Sequence, residues 1–262
     1  MKRLLVISDS HTGSLTGLTP PKWQTNDLHK KCWTNYTEIL AKLKPIDILI
    51  ANGDLINGSR AGDADVLTAD INEQQEMAAE IIDTVDANSI FITSGTDAHT
   101  GFDGAALELE RQIVDKIKVR AMNRQKIYKP DDIKYDILYN INVENVRINS
   151  RHYTGPKGMF AGRAATGSAD AAWNAIRAAL DGEKLANIII RSHVHYFNQY
   201  DNLYQFVVTT PGLQLPGSRY ALKKCSGIVH WGVVYFDLED GHFTFGKEIR
   251  KIEGTETPEY VV

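Results

Sequence analysis

Apolar residues along the chain fall into two kinds of run, and the two kinds alternate. Residues 3–8, RLLVIS, are a short run rich in branched side chains that stops at polar residues, the pattern of a strand buried on both faces. From 26 to 44 the spacing changes. Leu28, Cys32, Trp33, Tyr36, Ile39, Leu40 and Leu43 recur at intervals that put them on one side of a helix, with Asn26 or Asp27 as its N-cap. The same reading predicts strands over 46–52 and 89–94 and helices over 66–85 and 105–119. The segments 12–26 and 53–65, rich in Gly and polar residues, are predicted loops. Strand and helix taking turns in this way predict parallel strands joined by crossover helices.

Past residue 130 the pattern changes. Two alternating runs within 134–152 flank Glu144-Asn145-Val146 and predict an antiparallel pair. The stretch 155–168 is rich in small residues and reads as a long loop; 169–182 reads as a helix stopped by Gly182. Strands are predicted over 185–192, 203–212 and 232–249, the last folded back at Glu239-Asp240-Gly241. The expectation is an α/β chain with a mixed pair of sheets, residues 1–262 forming one domain.

Composition narrows the classes of function. Apolar content of 43% and charged content of 24% are those of an ordinary globular chain. A net charge of −4 is not that of a general nucleic-acid binder, although it leaves room for a local basic patch. The two cysteines, Cys32 and Cys225, have no neighbouring partner, so a reducing compartment is expected rather than a disulfide framework. No run approaches the roughly 20 apolar residues of a membrane span, and LLVI is too short for a signal-peptide core. A cytoplasmic protein that does not enter membranes is the expectation.

Candidate chemistry appears at the strand ends. Asp9 and His11 follow the first predicted strand, Asp54 and Asn57 the second, Asp97 and His99 the third. His152 follows the strand ending near Ser150, and His193 and His195 follow the one ending at Ser192. Each alone is more readily a turn former or a surface residue. Together they place five of the eight histidines just beyond strands, where ligand sites of α/β sheets lie. Asp and His suit Mn, Fe and Zn, and the i, i+2 spacing lets both members of a pair project toward one site from an extended segment.

The order Asp9-x-His11, Gly53-Asp54, Gly95-Thr96-Asp97-Ala98-His99, His152 and Ser192-His193-Val194-His195 resembles the calcineurin-like metallophosphoesterase superfamily from about residue 4 to residue 195. The chain departs from the pattern twice. Ser192 stands where a glycine is usual, and Gly-Thr-Asp-Ala-His replaces Gly-Asn-His. The resemblance implies a sandwich of two mixed β-sheets flanked by helices, a four-layer α/β/β/α fold. It implies two divalent metal ions, Mn2+ first, with Fe, Zn, Ni or Mg as alternatives. Asp9, His11, Asp54 and His195 would hold one. Asp54, His152, His193 and either Asp97 or Thr96 would hold the other. His99 would be the catalytic acid, and Asn57 would bind the phosphate or support Asp54. Two such ions about 3.5–4 Å apart clamp both oxygens of an in-line phosphoryl displacement and make hydroxide available near neutral pH.

The implied activity is hydrolysis of a phosphate ester, with a phosphodiesterase or nuclease acting on nucleotides or nucleic acid placed first. A phosphomonoesterase, including a protein phosphatase, is the alternative within the fold. A metal-binding scaffold without turnover and a mononuclear hydrolase using Asp9, His11, Asp54 and His195 are the others. Lys157, Arg163, Arg219, Lys223 and Lys224 lie in segments read as long loops; each alone reads as a solvated charge, and together they would form a basic rim suited to a polyanion, with Trp23 either stacking on a base or anchoring its loop.

Overall fold

In the computed structural model, residues 1–58, 65–100, 109–129, 131–154, 160–215 and 229–252 are described, with the backbone alone for 160–164. Lys157, Arg219, Lys223, Lys224 and Cys225 lie outside the described residues, as does the start of the helix predicted over 105–119.

The first strand, β1 (Lys2–Ile7), shows how the layers arise. Its side chains alternate between two apolar environments, so the run LLVI has no polar face. Leu4 and Val6 point into one core and Leu5 and Ile7 into another. β2 (Ile48–Asn52) and β3 (Ser89–Thr93) follow in parallel beside it, with β4 (Ile133–Asp136) parallel to β3. The hairpin β10 (Trp231–Glu239) and β11 (His242–Arg250) completes this sheet in the order β11-β10-β1-β2-β3-β4. Its turn places Asp240 at φ 48° and Gly241 at φ 83°, the left-handed pair that a two-residue hairpin requires.

The second sheet runs β5-β6-β7-β9-β8, from β5 (Leu138–Val143), β6 (Val146–Arg151), β7 (Ile188–Arg191), β8 (Asn198–Asp201) and β9 (Phe206–Thr209). β6, β7 and β9 are parallel to one another. The two sheets pack face to face on Leu4, Val6, Ile50, Ile148, Ile190 and Phe236, among others. Helices α1 (Asp27–Leu43), α2 (Ile71–Val85) and α4 (Ile113–Asn123) cover the outer face of the first sheet. α5 (Phe160–Asp181) covers that of the second, over Ile189 and Val207. The expected four-layer α/β/β/α sandwich is what forms.

Several boundaries move. The Asn26 side chain caps α1 by accepting from the His29 N–H, as expected. The helix expected over 66–85 starts at Ile71, because Asp70 accepts from Asn72 and Glu73 and caps it there. The pair expected over 134–152 is β5 with β6, while Ile133–Asp136 crosses to the other sheet as β4. The small residues of 155–168 belong in part to a helix, since α5 begins at Phe160. Gly167 stands inside it because a Cβ there would meet the Tyr200 Cβ of β8 at 2.7 Å. β8 was not foreseen: its NQYD is polar, half exposed and at the sheet edge. Among the described residues no helix is long and apolar enough to cross a membrane.

Candidate metal centre

Parallel order puts the carboxyl ends of β1, β2 and β3 at one edge of the first sheet, and those of β6 and β7 at one edge of the second. The sandwich brings the two edges together. Asp9 and His11 leave β1, Asp54 leaves β2, the Gly95–His99 element leaves β3, His152 leaves β6, and His193 and His195 leave β7. Five of these residues take left-handed backbone: Asp9 (φ 51°), His11 (42°), Asp54 (49°), His193 (76°) and His195 (53°). A side chain turned inward at a strand end requires the chain to bend there abruptly, and left-handed residues make that bend. Hydrogen bonds hold it. Asp9 N–H donates to Gly53 O (3.0 Å), His11 N–H to Asp54 O (3.1 Å) and Thr12 N–H to Leu55 O (2.9 Å).

Three sets of ligating side chains converge: Asp9 with His11 and His195, His11 with Asp54 and His99, and Asp54 with His152 and His193. Within each set the ligating atoms lie within 4.8 Å of one another. Both carboxylates are buried. Asp9 Oδ1 is 3.2 Å from His195 Nε2, 3.9 Å from His152 Nε2 and 4.0 Å from His11 Nε2. Asp54 Oδ2 is 3.0 Å from His152 Nε2, 3.7 Å from His193 Nδ1 and 3.9 Å from His99 Nε2.

The residues fit divalent cations on three counts. Asp9 Oδ1, His11 Nδ1 and His152 Nε2 are buried without a well-directed hydrogen bond, which is costly for polar atoms unless something else satisfies them. His152 donates its Nδ1–H to Asn52 O at 2.6 Å, leaving the Nε2 lone pair toward the carboxylates, the orientation of a metal-ligating histidine. The charge balance also asks for cations. Burial pushes the Asp9 carboxyl up, but the His195 and His152 imidazoles outweigh it and bring it down to about 2. Burial opposes the charge on His152 too, yet Asp54 and then Asp9 raise it to about 10. The carboxylates thus draw positive charge into the centre, and a metal ion supplies it without the proton. His11 is the counterexample: burial, then His99 and His195, hold it well below its usual range, as a neutral ligand.

The Gly95–His99 element splits between two roles. Asp97 begins the one-turn helix α3 (Asp97–Thr100) and is exposed, in none of the three sets. Thr96 instead touches Asp54, its N–H donating to Oδ1 at 2.6 Å and its hydroxyl lying 3.1 and 3.2 Å from the two carboxylate oxygens. His99 donates Nδ1–H to Asn57 O at 2.7 Å, and its ring stands edge-on to His11 with centroids 4.5 Å apart. Asn57 therefore positions His99 through its backbone carbonyl. A Cβ at Gly58 (φ 75°) would meet the His99 carbonyl oxygen at 2.7 Å, so the glycine lets α3 come this close.

Two contributors carried no signal in the sequence. Glu110 is buried, and its carboxylate accepts the Leu55 N–H at 2.6 Å and the Gly95 N–H at 2.8 Å, joining the loops that bear Asp54 and His99. Burial and then the Asp54 charge raise this carboxyl to about 7. Beneath the centre lies a buried polar layer between the sheets. Asn52 Nδ2 donates to Ser192 Oγ (2.6 Å), Ser150 donates to Asn52 Oδ1 (3.1 Å), and Thr210 shares hydrogen bonds with Ser192 (2.7 Å) and Ser8 (2.8 Å). A serine, threonine or asparagine at a strand end reads as the start of a loop, which hid the layer.

The sequence matches no family model and no curated protein. Among solved structures it is similar to an archaeal phosphodiesterase at 12% identity, covering 94% of this chain and 99% of that one, with a TM-score of 0.43. A Vps29 from Entamoeba histolytica complexed with zinc gives 12% identity, 94% and 98% coverage and a TM-score of 0.44. A purple acid phosphatase from yellow lupin gives 14% identity, 98% and 52% coverage and a TM-score of 0.43.

Proposed function

We propose that the chain is a metal-dependent phosphoesterase and that its preferred substrates are phosphodiesters of nucleotides or nucleic acid. The observation that carries the reading is the pair of buried carboxylates, Asp9 and Asp54, set among imidazoles at 3.0–4.0 Å. Bound there, two divalent cations would supply Lewis acidity and activate a water for attack on phosphorus. Asp9, His11 and His195 would hold one ion. Asp54, His152 and His193 would hold the other, with Thr96 supporting Asp54 from the β3 side. The hydrogen bond from Nδ1 to Asn57 O fixes the His99 ring with Nε2 toward Asp54, from where it would pass a proton to the departing oxygen. Tyr153, 54% exposed with its ring 5.1 Å from that of His193, offers a face on which a base can stack, which favours a nucleotide diester.

The test is metal content per chain together with turnover of bis(p-nitrophenyl) phosphate and p-nitrophenyl phosphate in Mn2+. Two ions per chain and faster cleavage of the diester are expected. His99→Ala should keep both ions and lose turnover by about 10²–10⁴-fold. Asp97→Ala should leave the metal content unchanged, and Thr96→Ala should lower it. Preference for the monoester would move the assignment to a phosphomonoesterase. Two bound ions without turnover of either ester would make the chain a metal-binding scaffold.

A further inference from the structure

The outer face of the second sheet holds a second concentration of charge, separate from the metal centre. Residues of β6 and β7 that do not face the sandwich core turn outward; besides Arg147, two of these are the arginines Arg151 and Arg191. With α5 above and β5 beside them they line a pocket of about 480 Å3, which Arg177 of α5 also lines.

Arg191 forms the floor. It is 4% exposed, and its guanidinium donates to Asp170 Oδ1 (3.2 Å), Asn149 Oδ1 (2.9 Å) and Ile190 O (2.8 Å). Arg151 reaches the same Asp170 oxygen with one long contact of 3.4 Å, while its Nε–H is shut off from solvent without a partner. Arg177 makes no ion pair among the described residues and stands exposed on the helix. The carboxylates lining the pocket are Asp170 and Glu183, so three guanidiniums leave one positive charge over. A structural ion pair would be complete with Arg191 and Asp170. Arg151 and Arg177 are surplus to it, and both present planar donor forks to the same space.

Guanidinium pairs of this kind select oxyanions, phosphate above all. The rim adds a second preference. Trp173, one turn before Arg177 on α5, also lines the pocket and is 65% exposed. An indole left open beside a phosphate-binding fork suits a planar ring joined to that phosphate. We propose that this pocket is a second, metal-independent binding site for a phosphate monoester carrying an aromatic base, a ligand of the mononucleotide class. Arg151 and Arg177 hold the phosphate and Trp173 stacks on the base. The site stands apart from the phosphoesterase reading, and either can fail without the other.

Calorimetric titration of the full chain with adenosine monophosphate, ribose 5-phosphate and inorganic phosphate tests it, in chloride buffer. The wild type is compared with Arg177→Ala, Trp173→Ala and Asp54→Asn. The first two change exposed side chains of a helix and should fold, which a thermal melt checks. Saturable binding of the nucleotide is expected in the wild type and in Asp54→Asn. It should weaken roughly tenfold in Arg177→Ala, the loss of one charge-assisted contact. Ribose 5-phosphate should bind less tightly than the nucleotide in the wild type and equally in Trp173→Ala. No binding at millimolar nucleotide overturns the proposal. So does binding that Asp54→Asn abolishes and Arg177→Ala leaves intact, which would place the ligand at the metal centre.

Discussion

Left-handed backbone at Asp9, His11, Asp54, His193 and His195 is a local cost carried by the residues that form the centre. Side chain and backbone contributions can be separated at His193, where φ is 76°. His193→Ala and His193→Gly both delete the imidazole, and only alanine keeps a Cβ in the disfavoured conformation. We expect the glycine variant to be the more stable by about 1 kcal/mol in urea melts of chelated protein, with both variants equally short of one metal ion. The positions of these residues were legible because a strand end is the one place in an α/β chain where a lone Asp or His has somewhere to converge. The choice between Thr96 and Asp97 was not legible. Which of two neighbours faces Asp54 depends on how the chain rotates between Thr93 and α3, and hydrophobic pattern says nothing about that rotation. Glu110 was hidden for another reason. Its partners are backbone N–H groups at Leu55 and Gly95, distant in sequence and without any side-chain signature.

At the scale of elements, Glu110 is the joint between the β2 and β3 loops. The carboxyl lies at about 7 in the folded chain against a reference of 4.5, raised by burial and then by Asp54. Between those values the folded chain keeps a proton that the unfolded chain has released. Stability from this group is therefore fully present below about 4.5 and is lost as pH rises through 7. Chelated wild type should lose on the order of 3 kcal/mol over that interval relative to Glu110→Gln, which has no such proton. The glutamine offers one acceptor oxygen to two N–H groups, so the variant should also start about 1–3 kcal/mol lower. Urea midpoints from pH 4 to pH 8 give both numbers. Among the helices, periodicity found α1 and α2, whose apolar stripes face the first sheet. It missed the first turns of α5, where small residues resemble a loop although alanine favours helix and Gly167 is needed for contact with β8. It also assigned Ile133–Asp136 to the wrong partner, since alternation identifies a strand without saying which sheet receives it.

For the whole molecule, the layered architecture followed from strands with no polar face, which must be covered on both sides. The way the sheets are held in register did not follow from it. The layer of Ser8, Asn52, Ser150, Ser192 and Thr210 is buried between apolar strands, and Asn52 bonds two members of it while its carbonyl orients His152. Asn52→Ala strands the Ser150 hydroxyl, while Ser192 keeps its bond to Thr210. We expect a loss of about 1–3 kcal/mol, the cost of one unsatisfied buried group. We also expect weaker binding of the ion at His152, measured by calorimetry with Mn2+. Metal and stability are linked in the opposite sense as well. A cation at 1,000 times its dissociation constant adds about 4 kcal/mol to a site present only in the folded state, so chelation should lower the melting temperature of the wild type far more than that of Asp54→Asn.

The centre draws on both sheets. Asp9, His11, Asp54 and His99 come from one, and His152, His193 and His195 from the other. The Asp9–His11–His195 and Asp54–His152–His193 sets each take ligands from both halves, so a cation held in either works as a clasp across the seam of the sandwich. Its affinity gauges how tightly the two halves are shut, and a substitution anywhere along that seam should be felt at the clasp before it is visible as unfolding.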